Sequence, residues 1–138
     1  MILCTFSRFV EKKMLQSRTV HKQIVGKHVF GNLYGCPEEV LGDQKLVRQV
    51  VLDAVNLSKM TLVSLRSWRF GGEKGGVSVI ALVKESHIAV HTWKQYRYAT
   101  VDIYTCGEHS DPDKGFEYVV SRLRPEKVVK HVADRSSE

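Results

Sequence analysis

The chain has 138 residues and a net charge of +6, with 43% hydrophobic and 26% charged residues. That is the composition of one globular domain with a single core. It excludes general disorder, and no apolar run approaches the roughly 20 residues of a membrane helix. Three cysteines, Cys4, Cys36 and Cys106, are too few and too widely spaced for a disulfide framework or a paired-cysteine zinc site.

Residues 1–23 carry Arg8, Lys12, Lys13, Arg18 and Lys22 against Glu11, so +4 of the total +6 sits here. This stretch has no apolar periodicity and reads as a basic, disordered arm, with Met14 as plausible a start as Met1. It is too short and poorly ordered in polarity for a secretory signal, so the expected location is cytoplasmic. The basic arm invites a nucleic-acid partner. The remaining chain is nearly balanced, however, so no nucleic-acid partner is expected, and without a membrane-length apolar run no membrane is expected as a partner either.

Residues 24–138 read as a single domain. Ile24–Gly35 alternates well enough for a strand. Leu46, Val47, Val50, Val51, Ala54 and Val55 recur at helical spacing, and Gly42 separates a short first turn from this main helix. Met60–Phe70 follows as a strand, and "GGEKGG" (71–76) as a turn or loop. Val77–Lys84 is a near-continuous β-branched run, the pattern of a buried strand. "HIAVHTW" and "ATVDIYTC" are two further strands. Asp111 and Pro112 start a second helix, and "EKVVKHVA" is the last strand. Short connections favour antiparallel pairing. The expected fold is α+β, an antiparallel sheet with helices on one face. Its second face is free for a partner subunit, which would give an α/β/β/α dimer. A chain this small suits a homo-oligomer with its site at the subunit interface.

The stretch "VKESHIAVHTW" (83–93) is the densest in chemistry. Glu85, Ser86 and His87 lie between two strands, where a polar hairpin turn would explain them. His87, His91 and Cys106 have zinc-ligand chemistry. In a strand, though, His87 and His91 lie ~13 Å apart on one face, at ~3.3 Å per residue, so no metal is expected. A serine hydrolase would need a G-x-S-x-G elbow, which is absent around Ser86.

Taken together, "ESH", then "HTW", then "TCG" resemble the pyruvoyl-dependent decarboxylases of the prokaryotic S-adenosylmethionine decarboxylase family, over about 110 residues. The resemblance implies a cofactor made from the chain. Ser86 would attack the Glu85 carbonyl, and β-elimination of the resulting ester would leave dehydroalanine. Hydrolysis would then cap the new chain with a pyruvoyl group. The products would be a β chain (1–85) and an α chain (86–138), assembled as a homo-oligomer of cleaved protomers. It implies His91 as the base for the Ser86 α-proton, Ser78 as an auxiliary processing residue, and Cys106 as proton donor in turnover. The pyruvoyl ketone would hold a small amino-acid-type substrate as a Schiff base.

The substrate is read from where the chain departs from that pattern. Members acting on S-adenosylmethionine read "HTWPE", whereas this chain reads "HTWKQ", with Gln95 in place of the acid. Other stretches, "GKHVFGNLYG" and "SWRFGGEKGGVSVIALV" among them, look closer to the archaeal arginine decarboxylase branch, which feeds polyamine biosynthesis. Glu73, Asp102 and Glu108 are candidate guanidinium partners. Phe70 instead fits the aromatic that stacks on adenine. Arginine is the favoured substrate, S-adenosylmethionine the alternative, and an inactive nucleic-acid-binding homologue the remote third.

Overall fold

The computed structural model describes residues 23–138; the arm's expected disorder and the choice of start lie outside the described residues. The elements are β1 (Lys27–Tyr34), α1 (Glu38–Leu41), α2 (Gln44–Leu57), β2 (Leu62–Arg69), β3 (Val77–Val83), β4 (Ser86–Trp93), β5 (Tyr98–Thr105), α3 (Pro112–Leu123) and β6 (Lys127–Asp134). The six strands form one antiparallel sheet in the order β2-β3-β4-β5-β1-β6.

The helices begin where local chemistry starts them. Asp43 caps α2 by accepting from the Leu46 amide at 3.0 Å, and Asp111 caps α3 by accepting from the Lys114 amide at 3.1 Å. Pro112 opens α3, where its missing N–H costs nothing. Gly42 separates the single turn of α1 from α2, as the sequence predicts. Val47, Val50, Val51, Ala54 and Val55 of α2, with Phe116, Val119 and Leu123 of α3, are buried against one sheet face. The α+β two-layer architecture is therefore as expected. No helix among the described residues is long and apolar enough to cross a membrane.

One expectation needs correcting. The β-branched run of β3 is not buried on both sides. Val77, Val79, Ala81 and Val83 face the helices, while Ile80 and Leu82 are 47% and 52% exposed. Strand parity explains the split: alternate residues point to opposite faces, and only one face carries helices. The other face is open and carries much of the exposed aromatic and aliphatic surface, including Trp68, Ile80 and Leu82.

Candidate active site

Two clusters lie at opposite ends of β4. The β3–β4 hairpin turns on Lys84 and Glu85 alone, which pairs Val83 with Ser86 and, further along, Ser78 with His91. The turn is therefore tighter than a Glu-Ser-His tripeptide, and Ser86 already belongs to the strand.

At the turn, the Glu85 carboxylate is buried. It accepts from the Thr61 amide at 3.0 Å and the Thr61 hydroxyl at 3.4 Å, and lies 3.3 Å from His109 Nε2. Burial pushes this carboxyl up. The bonds from the Thr61 amide, its own amide and His109 outweigh that and hold it below its ordinary value. The Glu85 carbonyl oxygen accepts from the Cys106 amide at 2.8 Å. Ser86, the next residue, has φ +146°, a conformation that L-residues rarely adopt. The exposed Cys106 lines an open cavity of about 620 Å³ with Tyr104, Glu108 and His109.

At the far end, Ser78 Oγ lies 2.8 Å from His91 Nδ1, and Lys74 donates to the same oxygen at 3.0 Å. Burial lowers the His91 pKa most and the Lys74 charge lowers it further, while Asp102 works in the opposite direction. Phe70 and Gln95 line a second cavity of about 540 Å³, together with Glu38, Arg69 and Lys94. Glu73 is exposed in the loop and is not among the residues lining that cavity.

Of the predicted site residues, Glu85, Ser86 and Cys106 come together, and so do Ser78 and His91. The two groups do not meet within one chain. Five strand steps separate Ser86 from His91, roughly 16 Å at about 3.3 Å per residue. Between them lies a cluster whose linkage the sequence did not reveal. Asp102 bridges two histidines on the open face, His28 at 2.9 Å and His87 at 3.0 Å. Each Asp102 oxygen is thus already engaged. Strand alternation places Asp102 and His87 on that face, but only the non-local β1–β5 pairing brings His28 beside them.

Comparison with known proteins identifies the class. The fold is that of a decarboxylase. The chain belongs to the S-adenosylmethionine decarboxylase family, whose model matches residues 27–136. It is 57% identical over 114 residues to the arginine decarboxylase proenzyme of Hyperthermus butylicus, covering 83% of this chain and 80% of that relative. The crystal structure of the adenosylmethionine decarboxylase from Aquifex aeolicus superposes with a TM-score of 0.73 at 30% identity, covering 81% of this chain and 91% of that one.

Proposed function

We propose that this chain is a self-processing, pyruvoyl-dependent arginine decarboxylase, releasing agmatine and carbon dioxide. The observation that carries the substrate is the 57% identity to a relative named for arginine and named a proenzyme. The second reading, S-adenosylmethionine, draws on the family model and the Aquifex structure. Gln95 weakens it, because an amide is a poorer acceptor for ribose hydroxyls than a carboxylate.

The turn residues fit the making of a pyruvoyl group at position 86. Attack of the Ser86 hydroxyl on the Glu85 carbonyl puts negative charge on an oxygen that already accepts from the Cys106 amide. The unfavourable φ at Ser86 raises the energy of the uncut turn, by about 1–3 kcal/mol for such a residue. Thr61 and His109 hold the Glu85 side chain and thereby the peptide. Acyl transfer to oxygen, loss of the Ser86 α-proton and addition of water then give a Glu85 carboxylate, ammonia and the pyruvoyl group. That group supplies a ketone that captures the substrate amine and accepts the electron pair left when carbon dioxide departs. The Cys106 thiol, in the cavity beside the turn, returns a proton to the product carbon.

His91 is assigned to the α-proton, yet it sits far along β4 from Ser86. A two-fold pairing of open sheet faces would resolve this. In such an interface, if Ser86 meets the partner subunit's His91, then His91 meets the partner subunit's Ser86. The exposed Trp68, Ile80 and Leu82 are suited to burial there.

Mass spectrometry of the purified protein should find two chains divided between Glu85 and Ser86; a lasting single chain would sink the proposal. Carbon dioxide release from labelled arginine and from labelled S-adenosylmethionine, measured side by side, decides the substrate. Release from the nucleoside substrate alone would overturn the arginine assignment.

A further inference from the structure

Lys74 has no part in the mechanism above, yet its side chain reaches from the 71–76 loop to a processing residue. Gly72 and Gly75, with φ +68° and +47°, let the loop fold back over the sheet. The Lys74 ammonium then lies 3.9 Å from the centroid of the Phe70 ring and 5.0 Å from that of Trp93. Two aromatic faces hold the cation in place, and from there it donates to Ser78 Oγ at 3.0 Å.

Donor chemistry sets the direction of the chain Lys74–Ser78–His91. An ammonium has hydrogens and no lone pair, so Ser78 Oγ accepts from it. The serine's own hydrogen is then free for His91 Nδ1, 2.8 Å away. With Nδ1 accepting, the hydrogen of the neutral imidazole sits on Nε2. Protonating the ring would make Nδ1 a donor toward an oxygen that already accepts from Lys74. It would also place two cations on either side of one hydroxyl.

We infer that Lys74 is a positioning residue for His91, holding the imidazole neutral with its hydrogen on Nε2 and with Nδ1 tied through Ser78. The inference rests on the proposed role of His91 as the base in self-processing, and adds the residue that keeps that base in its working form. The surroundings agree. Burial and the Lys74 charge both disfavour the imidazolium, and Asp102 on β5 is the opposing charge. Trp93 on β4 and Thr100 opposite on β5, which also adjoin His91, are uncharged.

The test uses the full chain carrying Ser86→Ala, which cannot cut itself. The His91 imidazole is titrated by NMR in this parent and in versions that also carry Lys74→Met or Lys74→Arg. Lys74→Met should raise the His91 midpoint, and Lys74→Arg, which keeps the charge and a donor, should leave it near the parent. An unchanged midpoint in Lys74→Met overturns the inference. With Ser86 intact, the acid limb of the cleavage-rate profile should move to higher pH in Lys74→Met and return in Lys74→Arg. Cleavage slowed equally at every pH would make Lys74 merely structural and would also overturn it. If the wild-type chain is never cut, the self-processing proposal fails, while the His91 titration still decides the role of Lys74.

Discussion

The main-chain amide of Cys106 donates to the carbonyl oxygen of Glu85 at 2.8 Å, so the residue proposed for turnover also touches the peptide proposed for cleavage. The two contacts use different atoms of Cys106 and can be separated. Cys106→Ala keeps the amide and should still be cut, while productive turnover falls by on the order of 10²-fold, the usual cost of losing a proton-transfer group. Ser86→Ala should not be cut at all. Gel separation of the chains and a carbon dioxide assay check both. Cys106→Ala that is neither cut nor destabilised would assign the thiol to processing.

The backbone at Ser86 provides a second test. Glycine adopts φ +146° freely, whereas alanine does so only under strain. Neither Ser86→Gly nor Ser86→Ala has the hydroxyl, so both stay uncut and can be compared as intact chains. Ser86→Gly should be more stable by about 1 kcal/mol in urea unfolding. Equal midpoints would show that the turn stores no strain.

A third prediction concerns pH. The Glu85 carboxyl titrates below its ordinary value of 4.5 because its bonds to Thr61, its own amide and His109 outweigh burial. As pH falls, the unfolded chain therefore takes up this proton first. The contribution to stability is complete above that ordinary value and is lost as pH falls through the lower, folded one. In the uncut Ser86→Ala background, Glu85→Gln should lower stability at neutral pH and flatten its acid dependence. A parallel acid dependence in both chains would remove Glu85 as its source.

Complementation tests the two-fold arrangement. Ser86→Ala and His91→Ala chains, each uncut alone, are co-expressed with distinguishable tags. If His91 serves the partner subunit's Ser86, the His91→Ala chain should be cut in the mixed dimer and the Ser86→Ala chain should not. No cutting of either chain, in a mixed dimer shown to form, would return the base to its own protomer.

Much of this was legible in the sequence, for local reasons. The Asp111–Pro112 start and the apolar repeat of α2 carry their signals within a few residues. The pairing of Ser78 with His91 was also within reach, since a two-residue turn at Lys84–Glu85 sets every later register of that hairpin. What stayed hidden depends on distant chain. His28 meets Asp102 only because β1 returns to pair with β5, seventy-odd residues away in sequence. The exposure of Ile80 and Leu82 reflects which sheet face carries helices, and composition along β3 does not report that. The role of Lys74 depended on how a glycine-rich loop folds back, and the sequence leaves that loop free.

The strand order has a consequence for the cut protein. The fragment 1–85 would supply β1, β2 and β3, and the fragment 86–138 would supply β4, β5 and β6. In the sheet, however, β1 lies between β5 and β6. Scission at the hairpin would therefore leave two interdigitated polypeptides that neither strand edge can release without breaking ladders on both sides. Unfolding would change from a unimolecular to a bimolecular equilibrium, so the mature protein, unlike its precursor, should lose stability on dilution even within a single protomer.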